Sequence, residues 1–199
     1  AGIASEGYMV AVAAAMEAPA ILSALWLISK GSEETDMSAD LWREILLNGS
    51  IVLLLGAFAI GIATGTDGLA RIESFIVSPF QGVLCIFLLD MGLIAGRGLR
   101  QAGVLDRGAI AFGLLMPLVG AAAGLVAALL VGLSTGGTML MMTLAASASY
   151  IAVPAAMRVA VPQANPSIYL TLALAVTFPF NLVLGIPLYL TVAQNLIGS

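Results

Sequence analysis

The sequence contains no histidine, a single cysteine and few charges, with Asp, Glu, Lys and Arg together making up 9% of its 199 residues. Without histidine, haem held by two histidines, zinc enzymes built on imidazole ligands and every histidine-based catalytic dyad are excluded. Most redox and hydrolytic chemistry goes with them, and the chain reads as a non-enzyme. One cysteine forms no intrachain disulfide, and Cys85, inside an apolar run, reads as a packed thiol. Seven basic residues stand against eleven acids, a net charge of -4, so there is no basic surface for nucleic acid. Five of the acids (Glu33, Glu34, Asp36, Asp40, Glu44) fall in one polar stretch.

What the chain has instead is apolar residues, 61% of the total, at a mean hydropathy of +1.10. A water-soluble domain carries about a quarter charged residues, and this chain has too few to cover a surface in water. It reads as an integral membrane protein, with the lipid bilayer as its solvent. Six apolar runs stand out, at 8–29, 45–65, 74–96, 108–133, 137–157 and 167–197, and only Glu17 and Asp90 are charged within them. Each has the ~20 residues needed to cross ~30 Å of hydrocarbon at ~1.5 Å per residue. A spanning backbone must satisfy its own hydrogen bonds, and the runs lack the alternation of barrel strands, so the expected class is all-α.

If all six cross, the connections 30–44, 97–107 and 158–166 share one side and 66–73 and 134–136 the other. The first side holds Lys30, Arg43, Arg97, Arg100, Arg107 and Arg158, the second only Arg71. Basic residues concentrate on the cytoplasmic side, which puts both ends of the chain outside. The chain opens on Ala1, without the basic stretch of a signal peptide, and reads as a fragment of a longer one. Small residues at Gly120, Gly124, Ala128 and Gly132, with Gly61 to Gly65 and Gly92 to Gly96, form stripes that let helices approach closely.

The fifth run carries the most chemistry. Its centre, Ala145-Ala146-Ser147-Ala148-Ser149-Tyr150, is small and hydroxyl-rich, and Pro154 follows. Proline removes a donor and crowds the carbonyl four residues back, so the helix is expected to break near 147–151. Freed N–H groups at a half-helix start suit an anion, while carbonyls and the hydroxyls of Thr143, Ser147 and Ser149 suit sodium. The alternative is a plain proline kink with the serines bonded back to their own helix. The sixth run places Thr177, Pro179 and Asn181 in apolar surroundings, and the first places Glu17 two residues before Pro19. Aligning Pro19 with Pro179 sets Glu17 opposite Thr177, a weak internal repeat of the kind secondary transporters use. Ionisable and amide groups in lipid are costly, which marks Glu17, Thr177 and Asn181 as candidates for cation coupling. Asp90, seven residues before Arg97, suits either a structural ion pair or a transport role.

Leu144 to Arg158 (LAASASYIAVPAAMR) with Val161-Pro-Gln-Ala-Asn-Pro-Ser167 resembles the last broken helix and following loop of the sodium-dependent bicarbonate transporter family. Phe80-Gln-Gly-Val-Leu, Met91-Gly92, Met16 to Ala20, Gly185-Ile-Pro-Leu-Tyr and Ala193-Gln194 extend the resemblance over almost the whole chain. It implies half of an inverted-repeat carrier: 1–29 as the last helix of an upstream repeat, 30–44 as a cytoplasmic loop and 45–199 as a five-helix membrane repeat. It further implies a homotrimer in the bacterial cytoplasmic (inner) membrane, sodium as the coupling ion with no other cofactor, and a PII-like cytoplasmic regulator as a partner that could bind. Ser147, Ser149 and Tyr150 then fall at the substrate site. Where cyanobacterial members end a serine run in aspartate, this chain has Tyr150, so a carboxylate is missing. The expected function is sodium-driven symport of a small anion, bicarbonate. Its rivals are an organic-anion or proton-coupled carrier of similar fold and a non-transporting membrane subunit.

The distribution of basic residues makes a test. Single cysteines placed at Ser32 and Gln101 should react with an impermeant thiol reagent only in opened cells, and one at Thr66 in intact cells. Labelling of the Ser32 and Thr66 positions from the same side contradicts the topology.

Overall fold

A computed structural model describes residues 3–29, 49–100, 105–150 and 163–198, and the described residues are helical almost throughout, with no strand among them. Among the described residues five helices follow in order: α1 (Met9–Ser29), α2 (Gly49–Arg100), α3 (Arg107–Val131), α4 (Thr135–Ala145) and α5 (Pro166–Ile197). Three stretches, Gly56–Ile94 in α2, α3 and α5, are long and apolar enough to cross a membrane. The chain is thus an all-α membrane protein.

Side-chain caps set the helix starts. The Asp106 carboxylate accepts from Ala109 N at 2.6 Å, Ser134 Oγ from Gly137 N at 3.1 Å, and Asn165 Oδ1 from Ser167 N at 3.0 Å ahead of Pro166. Each satisfies one of the donors that a first helical turn leaves open. Gly132, at φ 73°, closes α3 in the left-handed conformation that glycine adopts without a Cβ clash.

α2 departs from the sequence expectation. Runs two and three were expected as separate helices joined by a polar connection at 66–73. Instead one residue, Gly65 at φ 60° and ψ -157°, bends the chain, and helix resumes at once. A single glycine in a conformation closed to other residues makes the corner that a loop was expected to make. Ala57 and Ile76, on opposite sides of the bend, line one cleft with Gly65 and Asp67, so the two arms form a V. No residue of the apolar window of α2 is buried within the chain. A helix apolar on all sides belongs in lipid or against further membrane helices.

α3 and α4 form the tightest pair. The small-residue stripe lies between them: a Cβ at Gly120 would run into the backbone carbonyl of Ala145, and one at Gly124 would come within 2.8 Å of Met141 O. Ala121, Met142, Ala146 and Tyr189 are buried together on the α5 side of this pair. On its other side Met9 of α1 packs with Ala128 and Leu133. Gly113 of α3 meets Leu172 of α5 in the same way, backbone against side chain.

The residues before α1 are tied to the start of α4. Glu6 Oε1 accepts from Ser134 N at 2.6 Å, while Oε2 is enclosed without a partner against Gly137. Donation from the Ser134 N–H holds the Glu6 carboxyl below its ordinary pKa. Gly7, Val10 and Ala11 in turn share a cleft with Ala57, Gly61 and Leu69. The start of the chain, the apex of α2 and the turn before α4 therefore gather at one end of the molecule.

Two outcomes follow for stability. Gly120→Ala should lower the melting temperature of the purified protein, since overpacking against backbone costs about 1–3 kcal/mol, whereas Gly61→Ala, with open space around it, should leave it unchanged. Glu6→Gln should melt below wild type at pH 7. Because the Glu6 pKa is depressed, its contribution is complete above the ordinary carboxylate range and vanishes as pH falls through the lowered value, so the two curves should converge once pH is below that lowered value.

Candidate substrate site where α4 stops

α4 is only eleven residues long and ends at Ala145, after which 147–150 run on without helix. The helix thus ends at the edge of the 147–151 segment where proline geometry placed the break. Pro154 and the rest of the expected second half lie outside the described residues. The last turn tightens, with Ala146 N donating to Met142 O at 2.9 Å and Ser147 N to Leu144 O at 3.1 Å. Ser147 Oγ donates to Thr143 O at 2.7 Å, and Thr143 Oγ1 to Met139 O at 2.8 Å. These back-bonds are the ones the plain-kink alternative foresaw. They also satisfy a carbonyl that the missing next turn leaves open.

The carbonyl of Ala146 is taken from another helix. Asn181 Nδ2 donates to it at 2.8 Å, and Tyr189 Oη donates to Asn181 Oδ1 at 2.9 Å. Both side chains are buried. α5 can present them because it is not a regular α-helix. Leu172–Thr177 and Asn181–Gly185 are π-helical, with Phe178 N donating to Ala173 O and Ile186 N to Asn181 O, each five residues back. The widened turns lie beside Pro179 and Pro187, which have no N–H to give, and carry the chain past them.

A cleft of about 340 Å³ opens between the α4 stop, α3 and α5. Phe112, Met116 and Leu172 supply an apolar wall, and Ser147, Ser149, Tyr169 and Thr177 the hydroxyls. Thr177 Oγ1 also donates to Gly113 O at 2.9 Å, fastening α5 to α3 at the cleft floor. Neither a carboxylate nor a basic side chain is among the described lining residues. Among the described residues no cluster of three or more His, Cys, Asp or Glu could hold a metal. The cleft therefore offers neutral groups: the Tyr169 hydroxyl can donate to an anion, while the oxygens of Ser147 and Thr177, whose hydrogens are already given to Thr143 O and Gly113 O, can face a dehydrated sodium ion.

The expected site residues separate in space. Ser147, Ser149 and Thr177 come together on the cleft. Tyr150 does not line it; its ring packs between Phe87 of α2 and Phe178 of α5, centroids 6.2 Å apart in each case. Thr143 and Asn181, expected as cation ligands, also lie off the cleft, the first bonded to its own helix and the second to the backbone behind the stop. Glu17 falls on α1, its side chain outside the described residues. Asp90 and Arg97 are both exposed on α2, and no ion pair joins them. Seven residues are two turns, about 10 Å of rise, and side chains on a helix meet at three or four. Tyr169 and Tyr189 were not foreseen. The i, i+4, i+8 spacing of Asn181, Gly185 and Tyr189 was the signal available for the second.

A family model described as the Na+-dependent bicarbonate transporter superfamily matches residues 1–194. The chain belongs to this superfamily. No curated protein matches it at a significant level. The match runs from the residues before α1 into the last turns of α5, so it takes in the α4 stop and the cleft. Membership accords with the resemblance carried by Leu144 to Arg158 and with an all-helical chain in the membrane. The superfamily is one of transporters, and the cleft is the feature of this chain that such a role can use.

Proposed function

We propose that the protein is a secondary active transporter that carries bicarbonate together with sodium across the bacterial cytoplasmic membrane, within a homotrimer of the complete chain. The observation that carries this reading is the hydroxyl-lined cleft at the α4 stop, with no charged side chain among its described lining residues, in a chain of this superfamily. Physical chemistry connects the cleft to coupling. An anion entering a site without fixed positive charge loses its hydration to neutral donors alone, at a cost of several kcal/mol in a medium of low dielectric. A sodium ion bound beside it offsets that cost, so each ion favours the other, and neither is held well by itself.

Ser147, Ser149 and Thr177 are the hydroxyls assigned to the anion and its sodium. Glu17 of α1 is the central acid proposed to supply the negative charge that Tyr150 does not. The end where Glu6, Gly65 and Ser134 gather faces outside, as the basic residues on the opposite connections require. A PII-like regulator, if it binds, does so on that opposite, cytoplasmic side.

Radiolabelled bicarbonate uptake into proteoliposomes of the complete protein tests the reading, with sodium and pH varied independently. Ser147→Leu and Ser149→Leu should abolish uptake while leaving insertion intact. Glu17→Gln should raise the sodium concentration needed for half-maximal uptake. Tyr150→Phe, which keeps the ring between Phe87 and Phe178, should leave both constants near wild type. Uptake driven by a proton gradient without sodium overturns the coupling. No bicarbonate uptake under any gradient moves the substrate to an organic anion, for which Phe112, Met116 and Leu172 form a wall.

A further inference from the structure

Tyr189 is 1% exposed, one of the two largest fully enclosed side chains, yet it lies off the cleft and carries a polar oxygen into an apolar core. A hydroxyl buried among Ala121, Met142 and Ala146 destabilises the fold unless it is bonded. Among the described residues its hydroxyl bonds to Asn181 Oδ1, and the other end of that amide holds the carbonyl of Ala146, where α4 stops. We propose that Tyr189 is a positioning residue for the transport site, acting through Asn181 to hold the end of α4 in the conformation that forms the cleft.

The chemistry of the amide explains why both residues are needed. An asparagine side chain is an acceptor at one end and a donor at the other, and a half turn exchanges them. Reversed, Asn181 would set an oxygen against the Ala146 carbonyl oxygen, and the two would repel. A phenol that donates to Oδ1 favours the orientation in which Nδ2 faces Ala146. Space for this contact comes from Gly185, between them on the same face. A Cβ there would approach Asn181 Oδ1 to 2.7 Å and Tyr189 Oη to 3.0 Å. The π-helical turn Asn181–Gly185 closes the arrangement, since it is the segment whose backbone carries the amide toward α4. Ala146 is also the residue between Ala145, which packs on Gly120, and Ser147, which lines the cleft. Its carbonyl is therefore the last fixed point of α4 before the chain enters the site.

The kinetic part of this proposal rests on the transport reading, whereas its structural part does not, and the test separates them. Hydrogen exchange read by mass spectrometry on the complete protein should show faster exchange in Tyr189→Phe for peptides covering 143–150. Peptides of α3 should exchange as in wild type. In proteoliposomes the same variant should raise the half-saturating bicarbonate concentration about fivefold, the worth of one hydrogen bond of ~1 kcal/mol, with the maximal rate within about twofold. Asn181→Ser, whose hydroxyl is too short to reach Ala146 but can bond to its own helix, should weaken binding at least as much. Adding Tyr189→Phe to it should then change nothing further. Wild-type exchange over 143–150 in Tyr189→Phe overturns the positioning role, and so do additive effects of the two substitutions. A lower melting temperature with unchanged exchange and saturation reduces Tyr189 to packing. If the wild type moves no bicarbonate, the transport reading falls and the exchange result alone decides the positioning role.

Discussion

A helix that stops short leaves its last carbonyls without intrahelical partners, and the rest of this structure depends on how those of α4 are satisfied. The last turn draws in on itself, Ser147 returns its hydroxyl to Thr143, and Asn181 crosses from α5 to take Ala146. Each bond answers a group whose exposure to hydrocarbon costs several kcal/mol. The third of them sets a demand on α5, which must turn a side-chain amide inward at that height. Its two π-helical turns and two interior prolines can be understood as the backbone of a helix shaped to its neighbour's end.

The close approach of α3 to α4 belongs to the same arrangement. Gly120 and Gly124 bring the two backbones together where α4 ends, so the stop is held by backbone contact on one side and by Asn181 on the other. The cleft is the space left over, walled by whatever α3 and α5 present around it. This explains a site whose described lining has hydroxyls and no charge. Its polar groups are those that also satisfy helices: Thr177 donates to Gly113, and Ser147 to Thr143.

Much of this was legible in the sequence because it rests on composition and on one proline-rich motif. Apolar runs gave the helices, the Gly120 stripe gave a packing seam, and Ser147 with Ser149 marked the place where helix ends. What escaped was geometry that a 3.6-residue period does not describe. Gly65 makes a corner without a loop, so charged residues 66–73 were read as a connection although they are helical. The spacing of Asn181, Gly185 and Tyr189 puts them near one face, but spacing does not say that the amide crosses to the end of another helix, nor that the turn between them is π-helical. The Asp90 and Arg97 pairing failed for the simplest reason, that a shared face two turns apart is not contact. Glu17 was found by its charge alone, and charge says which residue is unusual without saying what it touches.

The length of α4 has an electrical consequence. Eleven residues at about 1.5 Å each make a rod of roughly 16 Å, and Glu6 holds its first turn at one face of the molecule. A rod of that length standing along the membrane normal from one surface would end near the middle of a hydrocarbon layer about 30 Å thick. An ion that reached the cleft from that surface would then have crossed about half of the transmembrane voltage, worth roughly 1.2 kcal/mol per 100 mV for a single charge. Sodium or bicarbonate arriving by itself feels that field in opposite senses. Under the proposed symport the pair is neutral at equal depth, and a one-to-one load enters and leaves indifferent to membrane potential.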